Sequence, residues 1–140
     1  MKWIICILLI FPLFTYADDL ESNWKSWQSK DITTYKYNLI TGAGPFGYSR
    51  YKVKVVDGVC KAKTKYIFRR TPWFWKKTSC ENIMFADLYM AIRQQIEAGV
   101  HSMDITYDQK YNFVSSFSVV PDTKEEDTDW YFKVTDFKNE

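Results

Sequence analysis

Residues 69–77 read RRTPWFWKK, with two arginines, two lysines and three aromatic rings in one short segment. Side chains of these types attract anions and offer flat apolar contact area; they do not move protons at neutral pH. Just before them, RYKVKVVDGVCKAKTKYIF (50–68) alternates Lys52 and Lys54 with valines, then Lys61, Lys63 and Lys65 with small residues. The chemistry on offer is capture of an anionic partner. Arg69, Arg70, Lys76 and Lys77 supply charge, and Trp73, Phe74 and Trp75 supply rings, with Phe74 and Trp75 as anchors. Lys52, Lys54, Lys61 and Lys63 form an adjoining cationic face. Tryptophan, tyrosine and arginine are also the residue types that concentrate binding energy at protein interfaces. In a third arrangement the three rings pack onto the sheet and only the charges meet water.

Bond-making chemistry finds less material. His101 is the single histidine, so any nucleophile–base pair built on imidazole depends on it. Carboxylates such as Asp104 and Asp108 fall on strand and turn patterns, where solvated acids are common. No phosphate loop, HExxH or EF-hand spacing occurs. The sequence therefore implies a non-enzymatic domain without cofactor or metal, the alternative being an enzyme with no recognisable motif. A lysine-lined face beside aromatics also has the composition of a nucleic-acid groove. Against that reading, the full chain has a net charge of only +2, part of it from Lys2 in the leader.

The chain opens MKWIICILLIFPLFTYADD. A positive start, an apolar run of about a dozen residues and small residues ending at Ala17 are the layout of a secretory signal peptide, too short to span a bilayer. Residues 1–17 are expected to be removed by cleavage near Ala17, with a retained anchor as the alternative, and 18–140 to form one domain, exported to the periplasm or beyond. Cleavage leaves two cysteines, Cys60 and Cys80. In an exported chain these are expected to pair as a disulfide, pinning the 69–77 loop, with free thiols or half a metal site as alternatives. By the chain-entropy estimate, closing such a loop contributes ~3 kcal/mol.

Charge is unevenly distributed. Residues 30–77 carry 12 basic and 2 acidic side chains, whereas 78–140 carry 5 basic and 12 acidic. Such asymmetry reports either a charged face or basic strands lying beside acidic ones.

The elements that position these residues follow from periodicity. Leu20, Trp24 and Trp27 mark one face of a helix over 18–29, and Asp18, Asp19 and Glu21 suit the positive end of its dipole. Tyr35, Tyr37 and Leu39 alternate as a strand over 33–41. Asp57-Gly58 signals a two-residue hairpin that sets Val55 opposite Cys60, Lys54 opposite Lys61 and Lys52 opposite Lys63. Pro72 opposes regular strand pairing in the 69–77 loop. Phe85, Leu88, Tyr89, Ile92 and Ile96 make the stripe of a main helix within 81–100, with Ser79 or Asn82 as its cap and Gly99 at its end. Three strands follow, around 101–107, 112–120 and 130–137, and the acidic run 122–129 reads as a hairpin loop. The order α-βββ-α-βββ with short turns predicts an α+β fold: a single antiparallel sheet of about six strands with helices packed on one face.

At the level of landmarks the chain resembles the bacterial exported family of unknown function DUF6174. The resemblance rests on Trp24-xx-Trp27 leading into Tyr35-Lys36-Tyr37, VVDG at 55–58, Asp87-Leu88-Tyr89, TYDQKYNFVSSFSV at 106–119 and VTDF at 134–137. Gln109, Asn112 and Val114 replace the proline, glycine and proline that the family favours, changes expected to alter a turn and leave the fold. The resemblance implies a small exported single domain and assigns no catalytic residue. Separately, FRRTPWFWKK (68–77) is similar to the tryptophan-rich cationic antimicrobial peptides of the tritrpticin and indolicidin type. That likeness implies membrane-surface activity through the same loop, with tryptophan at the boundary and cations at the headgroups. The partner classes are thus an anionic protein surface or an anionic membrane surface.

Overall fold

The computed structural model describes residues 13–43, 47–68, 74–100, 102–119 and 130–140. Its elements run α1 (Leu13–Ser29), β1 (Tyr35–Ala43), β2 (Tyr48–Val56), β3 (Val59–Ile67), β4 (Lys76–Thr78), α2 (Phe85–Glu97), β5 (Met103–Tyr107), β6 (Val114–Val119) and β7 (Trp130–Asn139). All strands lie in one sheet of order β4-β3-β2-β1-β7-β6-β5, and every pairing is antiparallel. The expected α+β architecture is present, with seven strands where about six were expected. The additional strand, β4, lies at the end of the 69–77 segment.

Alternation decides which side of the sheet is covered. Tyr35, Tyr37 and Leu39 of β1, Val53 and Val55 of β2, Phe117 of β6 and Phe132 and Val134 of β7 are buried in one cluster with Leu20 and Trp27 of α1 and Phe85, Leu88 and Ile92 of α2. Both helices therefore pack on the same face, because successive strand side chains point to opposite sides and only one set is apolar. Trp27 sits at the centre, edge-on to Tyr35, Phe85, Phe113 and Phe137 with ring centroids 4.9 to 5.8 Å away. Trp24 stacks on Tyr89, whose hydroxyl donates to Glu21. The Tyr37 hydroxyl donates to the Ile83 carbonyl at 2.5 Å, and burial raises its pKa. The Tyr107 hydroxyl is buried without a hydrogen-bond partner among the described residues; burial, aided by Asp19, pushes its pKa up to about 12.

Several local expectations change. Helix α1 begins at Leu13, so Asp18, Asp19 and Glu21 lie inside it and no acid occupies its first turn. Helix α2 is shorter than 81–100, and neither Ser79 nor Asn82 caps it. Met84 takes the N-cap position, and its N–H is accepted by Asp87 at 3.1 Å. Asn82 instead adopts φ 64°, in the turn that precedes the helix. Gly99 ends α2 at φ 77°, the left-handed geometry that a helix terminus favours. The Asp57-Gly58 hairpin has φ 49° and 78°, and the expected register of Val55 with Cys60, Lys54 with Lys61 and Lys52 with Lys63 is observed. Cys60 and Cys80 form a disulfide that packs against the core. No helix among the described residues is long and apolar enough to cross a membrane. His101 and the acidic run 122–129 lie outside the described residues.

Candidate anion-binding face

The face of the sheet opposite the helices carries the lysines. They project from it because they occupy the alternate positions of the same strands whose other residues fill the core. On β1, Lys36 alternates with buried Tyr35 and Tyr37; on β2, Lys52 and Lys54 alternate with buried Val53 and Val55; on β3, Lys61 and Lys63 flank buried Ala62. Strand pairing then stacks cation on cation. Lys36 stands between Lys138 of β7 and Lys54 of β2, Lys54 opposes Lys61, and Lys63 stands between Lys52 and Lys77 of β4. Together these side chains border an open groove of about 780 Å³ whose lining also includes Asn38, Thr78 and Asp136.

Directly opposed like charges destabilise a sheet by up to ~1 kcal/mol a pair. Described carboxylates offset part of this. Glu140 pairs with Lys36 and lies 3.5 Å from Lys54, and the Lys36 hydrogen bond holds its carboxyl below the usual range, with Lys54 adding to the effect. Among the described residues, Lys52, Lys61, Lys63, Lys77 and Lys138 have no carboxylate partner.

Strand β4 divides the sequence candidates. Lys77 opposes Lys63 and joins the groove, whereas Lys76 opposes Thr64 and falls on the other side. The expectation that 69–77 is a loop throughout is thus corrected: Lys76 and Lys77 are strand residues, because they pair with the edge of β3. Trp75 lies on the groove side, with the ammonium groups of Lys52 and Lys65 over its ring at 4.7 and 4.9 Å. Such contacts stabilise by roughly 0.5–1 kcal/mol each at exposed sites. Phe74 is 81 % exposed and, among the described residues, belongs to no hydrophobic cluster. Arg69, Arg70 and Trp73 lie outside the described residues. Besides Thr78 of β4, four polar groove residues were not singled out from sequence: Lys36, Asn38, Asp136 and Lys138. Lys36 was detectable, since it alternates with Tyr35 and Tyr37. The other three depend on which strand β1 chooses as its second neighbour.

That neighbour also introduces an irregularity. The β1–β7 register shifts between Lys36 and Asn38, where Lys36 faces Lys138 and Asn38 faces Thr135. One extra residue on β7 makes a bulge, and Asp136 enters it at φ 54°, a geometry that aspartate tolerates better than most residues. The bulge aims the Asp136 carboxylate at Asn38, whose Nδ2 donates to Oδ2 at 2.6 Å. The Thr135 hydroxyl donates to the same oxygen at 3.3 Å.

Fold and face together define an antiparallel α+β domain with one helix-covered side and one open cationic side. The sequence profile described as Family of unknown function (DUF6174) matches residues 19–139, and the chain belongs to that family. Its turn at 108–113 shows how one family position is accommodated: Asn112, where glycine is favoured, takes φ 66°. No curated protein and no solved structure matches the chain.

Proposed function

We propose that this is an exported, non-enzymatic domain that binds an anionic partner through the open lysine face of its sheet, with Trp75 as the aromatic wall of the site. The observation that carries the reading is the set of opposed lysines, Lys52, Lys63 and Lys77, gathered on a groove that no described residue covers and without a described carboxylate partner. A sheet that leaves mutual repulsion standing is stabilised when an anion enters, and the gain is screened by salt. The leader at 1–17 and the Cys60–Cys80 disulfide support export, since disulfides persist in oxidising compartments. Protein recovered after export should begin at Asp18 by mass spectrometry; recovery of the uncleaved chain alone would refute that part.

The binding test uses fluorescein-labelled polyacrylate and anisotropy over a salt series. Wild type should bind, with affinity falling as salt rises. A Lys52→Glu, Lys63→Glu, Lys77→Glu variant should lose at least about tenfold in affinity, the equivalent of ~1.4 kcal/mol. A Lys25→Glu, Lys30→Glu, Lys110→Glu control of equal net charge should lose much less. Equal losses in the two variants would show that net charge alone drives binding and would defeat the site.

The exposure of Phe74 favours a second reading, contact with an anionic membrane surface. Co-sedimentation with anionic vesicles that is abolished by Phe74→Ser, while polyacrylate binding survives, would select it.

A further inference from the structure

The groove is not uniformly cationic, and its one departure is built rather than incidental. At its floor, between Lys36 and Lys138 on one side and Lys52 on the other, stand Asn38 and Asp136. A carboxylate can only accept hydrogen bonds, so the bond between them fixes the amide: Nδ2 points to Asp136 and Oδ1 points away from it. The Asp136 Oδ2 atom is occupied twice, by Asn38 and by Thr135. Among the described residues Asn38 Oδ1 and Asp136 Oδ1 receive no hydrogen bond. Two acceptors thus lie in the middle of a field of donors, and a bulge with a left-handed aspartate holds one of them there.

A ligand made only of anionic groups is poorly served by this floor. Its oxygens would meet the Asp136 carboxylate and the Asn38 carbonyl, acceptor against acceptor. A ligand that carries hydroxyl donors between its anionic groups fits both parts: anions to the lysines, hydroxyls to Asn38 Oδ1 and Asp136 Oδ1. Spacing agrees. Lysines opposed across strands sit about 4.8 Å apart at the backbone, and those two positions apart along a strand about 6.6 Å apart. Flexible lysine stems can follow charges repeated at intervals of that order, and they do not impose the planar fork geometry by which arginine selects bidentate anions.

Resting on the anion-binding reading above, we propose that the groove takes an acidic polysaccharide, with the lysine rows binding its carboxylates and the Asn38–Asp136 pair accepting hydrogen bonds from its hydroxyls. The open, elongated face suits a chain that lies across the strands. Trp75 lies beside the groove, its ring beneath the ammonium groups of Lys52 and Lys65.

The test compares three probes at one ionic strength: polygalacturonate, polygalacturonate with its hydroxyls acetylated, and polyacrylate, which has carboxylates and no hydroxyls. Wild type should bind polygalacturonate roughly tenfold more tightly than the acetylated polymer, the worth of one or two hydrogen bonds to a charged or polar acceptor. Asn38→Leu should erase most of that difference, while polyacrylate, which meets Asn38 Oδ1 only as an opposing acceptor, should bind at least as tightly as it does to wild type. Asn38→Val, a residue that strands accept readily, serves as a second variant should the first fail to fold. The difference persisting in a folded Asn38 variant would show it to be steric and overturn the proposal. Equal binding of the two polygalacturonates by wild type would also overturn it while leaving the cationic site standing. Absence of binding to polyacrylate as well as to both polygalacturonates would remove the underlying anion-binding reading.

Discussion

Two aromatic residues show how burial separates structure from surface. Trp27 contacts four rings from β1, α2, β7 and the segment before β6, and it is buried. Phe74, in the segment that drew attention by its composition, is 81 % exposed. Replacing Trp27 by alanine removes packing on every side and should destabilise the domain by roughly 3–5 kcal/mol. Phe74→Ser should change stability by less than about 0.5 kcal/mol. Urea denaturation monitored by circular dichroism checks both, and a large loss from Phe74→Ser would mean that its ring packs in solution. The sequence supported the core role of Trp27, since its spacing from Leu20 and Trp24 is helical. It left Trp75 undecided, because no local pattern tells whether a ring in a run of three aromatics turns toward the core or toward the lysines.

Among the elements, the β2–β3 hairpin was the most legible and carries much of the site. Two left-handed residues in succession, Asp57 at φ 49° and Gly58 at φ 78°, make the turn, and the turn fixes the register that stacks Lys52 on Lys63 and Lys54 on Lys61. Nothing lies within 4 Å of a Cβ built on Gly58, so a substitution there meets backbone strain and no clash. Gly58→Ala should therefore cost about 1–2 kcal/mol and leave the sheet intact. Thermal unfolding together with a retained β spectrum would show this; an unchanged midpoint would mean that the turn relaxes to another type. Strand β4 was illegible for a complementary reason. Three residues carry too little alternation to declare a strand, and it exists because β3 has an open edge and the disulfide brings Cys80 close to Cys60.

At the scale of the whole molecule, β7 decides the architecture. It lies between β1 and β6 and so joins the hairpins of the first half to β5 and β6. It also carries Lys138 and Asp136 into the groove, and Glu140 just beyond its end reaches Lys36 and Lys54. A chain truncated before Trp130 leaves Leu39 and Phe117 without the strand that separates them and should lose cooperative unfolding; a sharp calorimetric transition in that fragment would contradict this account. Pairing of residues near 35 with residues near 139 closes most of the chain into one loop, so its entropy must be met by the assembled core. That is the physical boundary between what could be read and what could not. The sequence by itself determined the two faces of every strand but β4, the hairpin register, the disulfide partners and the side of the sheet that helices cover, all of them set by neighbours within a few residues or by simple elimination. Only the tertiary structure decided that β7 lies beside β1, that Asp136 stands in a bulge against Asn38, that Lys77 lines the groove while Lys76 does not, and that Lys52 and Lys65 stand over the Trp75 ring. Those choices depend on the free energy of the complete core, which no local pattern contains.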